Sequence, residues 1–263
     1  MNEMKKIVVI GAAALCATVA MGDVESSEIV GYSVKELSEG NQAVATQFYT
    51  IGKDGVSLLD LTFDTSAQEK ILGTLRIQIL DANGITTKTY AYFKNAGSRS
   101  SYGVDGWYDM HGDTLITAEN DPLFKNGQGL WLGSPAGVKL TTAGGVLKDS
   151  QCFELKNGNT MIANPFPVSV KLLDLVLGGT FDTAEKILGT IRIQILDANG
   201  ITTKTYAYFK NAGSRSSYGA DGWYDMHGDV LITNDNNPSF AAGEALWFGG
   251  IDGATVTFPA PKF

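Results

Sequence analysis

The sequence predicts an all-β chain of two tandem modules, each a β-sandwich or a partly closed barrel. Three observations carry that expectation: an internal duplication, apolar residues at a period of two, and glycine-rich punctuation between short runs. Residues 69–113 and 185–229 differ only at Leu75/Ile191 and Val104/Ala220. Weaker matches flank both copies: Leu58-Leu59-Asp60-Leu61 corresponds to Leu172-Leu173-Asp174-Leu175, and Leu130-Trp131 to Leu246-Trp247. A repeat of about 110 residues is the size of an ordinary domain. The chain holds 31 glycines and only 18% charged residues, a strand-and-turn composition and not that of a helical bundle.

The N-terminus comes first. Lys5 and Lys6 precede an uncharged apolar run over residues 7–20, and Ala20-Met21-Gly22 leads into the acidic stretch from Asp23. That order predicts a secretory leader cleaved near Gly22, and the run is short for a span of roughly 20 residues. The expected division is a leader over 1–22, an N-terminal segment over 23–34, and modules over 35–148 and 149–263. A secreted or cell-surface chain with no membrane span in its mature form follows. Cys16 leaves with the leader, so Cys152 remains alone and is expected as a small half-buried strand residue. Losing Glu3, Lys5 and Lys6 moves the formal charge from −8 to −9. That sign excludes nucleic acid as a partner, because such binding draws on Lys and Arg.

Inside a module, Arg76-Ile77-Gln78-Ile79 alternates polar and apolar residues, and residues 86–93 are β-branched or aromatic. Asp81-Ala82-Asn83-Gly84 between them predicts a hairpin whose Asn and Gly both tolerate positive φ. Residues 58–61 and 65–72 are expected as a short helix or turn. Trp107-Tyr108, Leu115-Ile116, Leu130-Trp131-Leu132 and Val138-Lys139-Leu140 then read as short strands.

Two clusters offer chemistry. Asp109, His111 and Asp113, repeated as Asp225, His227 and Asp229, would project to one face if they lay on a strand. Such a face suits a metal ion, and the oxygen-rich surroundings favour Ca2+; otherwise no cofactor is expected and the cluster is a hydrogen-bonded loop. Trp107, Tyr90 and Tyr92, with Trp223, Tyr206 and Tyr208, form either an aromatic platform for a polysaccharide or the core of each module. Two linked platforms would bind with avidity. Ser98, Ser100 and Ser101 lie in a Gly/Ser loop without a nucleophile elbow, and no phosphate loop or dinucleotide fingerprint is present. No enzyme is expected.

The module ends differ. Module one closes with Gly144-Gly145-Val146-Leu147, whereas module two stops at Pro259-Ala260-Pro261. Ile29, Val30, Tyr32 and Val34 precede module one with nothing upstream to pair with. They are expected to serve as a donor strand for the second module of another chain, giving self-association into a head-to-tail filament. The simpler expectation is that they pair within their own chain.

Ile29-Val30-Gly31-Tyr32, Gly-Asn before an apolar strand, Trp-Tyr-Asp in mid-module and the closing Gly-x-Gly-Leu-Trp at 127–131 resemble repeat modules of secreted bacterial surface proteins. The resemblance implies an extracellular β module and supplies no active-site residues. Module two departs from it, with Ala245 where module one has Gly129.

Overall fold

The computed structural model describes residues 29–97, 102–213 and 218–262. The expected leader over 1–22, with Cys16, and Ser98, Ser100 and Ser101 lie outside the described residues.

The protein is nearly all β, and each module is an open two-sheet sandwich, with neither sheet closed into a barrel. Module one starts with β1 (Val30–Glu36), β2 (Gly40–Ala45), β3 (Val56–Ser57) and β4 (Thr62–Asp64). The long hairpin β5 (Ile71–Leu80) and β6 (Thr86–Lys94) follows, then β7 (Gly106–Asp109) and β8 (Thr114–Leu115). The short β9 (Leu123–Phe124), β10 (Gly129–Ser134) and β11 (Lys139–Gly145) complete it. Module two repeats the plan with β12 (Gln151–Glu154), β13 (Gly158–Ala163), β14 (Val170–Lys171) and β15 (Val176–Gly179). A single helical turn, α1 (Thr180–Thr183), leads to β16 (Ile187–Leu196) and β17 (Thr202–Lys210). Last come β18 (Gly222–Asp225), β19 (Val230–Leu231), β20 (Ser239–Phe240), β21 (Ala245–Gly250) and β22 (Ala254–Phe258).

In each module a three-stranded sheet faces a six-stranded one. The orders are β1-β11-β4 against β2-β10-β5-β6-β7-β8, and β12-β22-β15 against β13-β21-β16-β17-β18-β19. No sheet mixes strands from both modules. Apolar residues facing inward from both sheets make the core, including Leu75, Ile77, Tyr90, Trp107, Leu132 and Leu140 in module one. Ile191, Ile193, Tyr206, Trp223, Phe248 and Val256 take those places in module two.

The structure corrects three expectations about these elements. First, the strand begins at Ile71, four residues before the alternation becomes regular. Gly73, at φ +74°, sits in a bulge between Leu72 and Arg76 where three residues of β5 oppose one of β6, and Ile71, Leu75 and Ile77 stay buried on one face across it. Residues 58–60 form a 3₁₀ turn, and within 65–72 the chain makes a turn closed by the Gln68 N–H on the Thr65 carbonyl at 3.0 Å before β5 begins. Second, only Gly84 of the hairpin tip has positive φ, at +78°. Asp81 holds the tip instead: its Oδ1 accepts the N–H groups of Asn83 and Ile85 at 2.9 and 2.8 Å. The Gly84 N–H closes the turn on the Asp81 carbonyl at 3.0 Å, so this is a type I turn followed by a left-handed glycine. Third, the N-terminal segment is no separate unit. Residues 30–36 pair antiparallel with β11, from Val30↔Gly145 to Glu36↔Lys139, within their own module. The equivalent place beside β22 is held by β12, so module two lacks no strand there. Cys152, on β12, is exposed and not half-buried.

The modules meet through their large sheets. Trp131 and Ala45 of module one and Trp247, Met161, Ala163 and Ala245 of module two form one buried cluster, with Leu80 and Leu196 against it. The contact is reciprocal. A Cβ on Gly84 would lie 3.7 Å from Trp247 Cζ2, and one on Gly200 3.8 Å from Trp131 Cζ2. Each hairpin tip therefore reaches across to the other module's tryptophan, as in a two-fold symmetric dimer. Backbone bonds stitch the seam: Ala45 N–H to Gly243 O at 3.1 Å, Ala163 N–H to Gly127 O at 2.8 Å, and Asn159 N–H to Ala82 O at 3.0 Å.

One buried group near this seam lacks a partner. Thr46 is 2% exposed, and among the described residues its Oγ1 has no hydrogen-bond partner. Asn164 stands at the matching place in module two and is well served: its Nδ2 donates to Val168 O at 2.7 Å and its Oδ1 accepts the Phe166 N–H at 3.1 Å. Replacing the Thr46 hydroxyl with a methyl removes a desolvated polar group at constant shape. Thr46→Val should stabilise the protein by about 1 kcal/mol, read as a rise of a few degrees in Tm.

Candidate functional site

The strands β6 and β7 carry the predicted aromatic residues, and both faces of β6 are covered. Tyr90 (4% exposed) and the half-buried Tyr92 turn into the sandwich, where Trp107 (6%) lies between Tyr92 at 5.5 Å and Phe63 at 5.3 Å between ring centroids. On the outer face Phe93 stacks on Tyr102 at 3.9 Å, and Tyr108 meets both edge-on. Trp223 (4% exposed), Tyr206 and Tyr208 repeat the arrangement. Burial, helped by the charge of Asp105 or Asp221, holds the Tyr92 and Tyr208 phenols above the ordinary value. These rings pack into the core, leaving Trp107 and Trp223 only 6% and 4% exposed, and what surface Trp223 and Tyr208 keep lies in a groove at the end of module two.

The Asp/His cluster is also placed differently from its expectation. Strand β7 ends at Asp109, and residues 110–113 form a turn in which Asp113 adopts φ +48°. Side chains that alternate on a strand are thereby dispersed. Asp109 Oδ1 accepts the His111 N–H at 3.0 Å, while its Oδ2 lies 3.3 Å from Lys88 Nζ. Asp113 accepts the Tyr102 hydroxyl, and Asp105 accepts the Asn95 N–H at 2.7 Å. Module two repeats each bond with Asp225 on His227, Asp229 on Tyr218 and Asp221 on Asn211. The carboxylates clamp loop to hairpin, and among the described residues no three acidic, His or Cys side chains converge on one point. Lys88 stays protonated to higher pH than a free lysine, chiefly through its contact with Tyr90 and then with Asp109.

Two other surfaces stand out. The first is β1, an edge strand whose outward residues Val30, Tyr32 and Val34 are 54%, 46% and 56% exposed. Its partners in the alignment of the modules, at Glu36/Glu154, are Lys148, Ser150 and Cys152. The second is the open end of module two, where the small sheet's edge strand β15 stands off from β18 and β19. A groove of about 440 Å³ runs there, lined by Leu175, Val176, Leu177, Phe181, Tyr208 and Trp223. In module one the corresponding place beside Trp107 is filled by Phe63 on β4, paired with Leu140. In module two Leu177, paired with Val256, takes that position, and Phe181 turns to Tyr208 instead, at 5.1 Å. Sequence reasoning found β1 through its apolar residues. It missed the groove, whose signal was a net two-residue insertion: Val176-Leu177-Gly178-Gly179 stands ahead of Thr180-Phe181-Asp182-Thr183, the counterpart of Thr62-Phe63-Asp64-Thr65.

Among the described residues no helix is long and apolar enough to cross a membrane. No protein-family model, curated protein or solved structure matches the chain.

Proposed function

We propose that the chain is a secreted structural subunit that joins copies of itself head to tail, the β1 edge of one chain meeting the open end of module two of the next. The observation that supports this reading is where two nearly identical modules diverge. Module one keeps an edge strand whose outward Val30, Tyr32 and Val34 are apolar, where module two has Lys148, Ser150 and Cys152. Module two carries a groove beside Trp223, whereas in module one Phe63 packs on Trp107 at the corresponding place. Each module thus carries one half of a contact.

The chemistry of the two halves agrees. The outer edge of β1 leaves backbone N–H and C=O groups unpaired, a template for another strand. β15 is a four-residue edge strand with its outer side open among the described residues, and Val176 on it is 59% exposed. Pairing the two edges would bring Val30, Tyr32 and Val34 into one strip with Val176 and remove that apolar surface from water. A contact between unlike surfaces repeats along a line unless the rotation closes a ring.

Sedimentation and negative-stain electron microscopy of residues 23–263 at rising concentration test the reading, and filaments or rings are expected. Val30→Lys with Val34→Lys should leave monomers with an unchanged Tm, and Leu177→Phe should do the same from the other side. Mixed together, the two variants keep one intact donor and one intact acceptor and should stop at heterodimers. Wild-type protein that stays monomeric, or oligomers indifferent to all three changes, would refute the assembly.

A further inference from the structure

We infer that the cleft on the pseudo-two-fold axis between the modules binds a small acidic sugar. The inference is independent of the assembly contact, since it uses the large sheets and not β1 or β15. The cleft measures about 490 Å³, and both modules contribute to it: Gln78, Asn83 and Trp131 from one, Gln194, Asn199 and Trp247 from the other. No acidic or basic side chain lines it.

The charge stands one layer behind. Arg76 Nε donates to Gln78 Oε1 at 3.4 Å and its Nη2 to Asn41 Oδ1 at 2.9 Å. Arg192 does the same to Gln194 and Asn159, at 3.4 and 3.1 Å. Both guanidiniums are half-buried, and among the described residues the ion pairs are made by lysines, leaving neither arginine with a carboxylate. Two half-buried arginines without a carboxylate, each bonded to a glutamine that lines the cleft, are unexpected in a chain of net charge −8.

Their hydrogen bonds also decide what the cleft displays. The amide oxygens of Gln78 and Gln194 are turned toward the arginines, so the NH₂ groups point the other way. Gln78 Nε2 donates to Thr86 Oγ1 at 3.1 Å, and Gln194 Nε2 to Thr202 Oγ1 at the same distance. A hydroxyl that accepts at its oxygen has its own proton left to give. The cleft is therefore rich in donors and lined by no acid, with Arg76 and Arg192 behind it and the neighbouring Asp81 and Asp197 carboxylates taken up by backbone N–H groups of the hairpin tips. Cations are disfavoured there and anions with many acceptor oxygens are favoured. The volume falls in the range of sites for small organic ligands and exceeds what an inorganic anion fills. Trp131 and Trp247 also line the cleft, each 8% exposed, and add a narrow apolar rim. A carboxylate, several hydroxyls and an apolar ring face together describe a uronic acid.

An array of uronate, sulfated and neutral oligosaccharides, probed with residues 23–263, makes the first test, followed by calorimetric titration of digalacturonate with cellobiose as the uncharged control. Retention of acidic sugars is expected, weakening with salt. Arg76→Gln with Arg192→Gln should raise the Kd at least about tenfold, a loss of about 1.4 kcal/mol, and Asn83→Ala with Asn199→Ala should weaken binding without lowering Tm. No acidic sugar retained, equal binding of cellobiose, or binding indifferent to both pairs of changes would overturn the site. Sedimentation of the same variants should match wild type, so failure here is distinct from failure of the assembly.

Discussion

Trp107→Ala should destabilise module one by about 3–5 kcal/mol, the usual cost of emptying a core position of this size. For a domain of about 100 residues that corresponds to a fall in Tm of more than about 10 °C. The reason is geometric: the indole is 6% exposed and lies between Phe63 and Tyr92, so its removal leaves a hole those two rings cannot close without leaving their own contacts. Trp223→Ala should behave alike in module two, with Tyr208 the ring left uncovered. Thermal unfolding followed by circular dichroism checks both. A variant with wild-type Tm would mean that the tryptophan is dispensable to the core and would reopen a surface role for it.

The second large effect concerns the seam. Trp131→Ala together with Trp247→Ala should uncouple the modules, converting one calorimetric unfolding transition into two. Each indole fills a place against the opposite module's hairpin glycine, and the cluster around them holds only small or flexible neighbours, Ala45, Met161, Ala163 and Ala245. Without the indoles the remaining contact consists of Met161, Leu80, Leu196, the alanines and a few backbone hydrogen bonds. Each truncation costs about 3–5 kcal/mol if the cavity persists, and much of that is interface energy. A single transition retained in the double variant would show that the hydrogen-bonded seam alone is sufficient for coupling.

The fold was largely legible because its signals are local. The alternation from Arg76 to Ile79 and the β-branched run after Thr86 placed the main hairpin, and the Gly-bounded short runs placed β7, β8, β10 and β11. What escaped notice depends on contacts distant in sequence. The bulge at Gly73 hid the start of β5, because an exposed Leu72 and a left-handed glycine interrupt the pattern ahead of Leu75. The Asn-Gly pair gave the right hairpin through the wrong turn, since Asp81 and not Asn83 shapes the tip. The aromatic residues of β6 were ambiguous for a physical reason: a strand buried on both faces shows no contrast between a binding surface and a core. The Asp/His spacing implied convergence only while the residues stayed on a strand, and a turn at Met110 ended that. The identity of residues 81–86 and 197–202 has a structural counterpart in the seam. Both tips sit against the opposite module, and a change in one alone would break a reciprocal fit.

That reciprocity has a consequence for how the chain finds its native state. The face module one offers to module two is nearly the face module two offers back, so neither can distinguish its own sister from a stranger's. The joint between β11 and β12 is only residues 146–150, and Leu147 is already packed against the second core. Such a tether sets a local concentration on the order of millimolar. Dilute chains therefore fold back on themselves, whereas crowded, half-folded chains trade sisters and emerge entangled in pairs. For this protein the length of those few residues does what sequence difference does elsewhere: it tells self from neighbour.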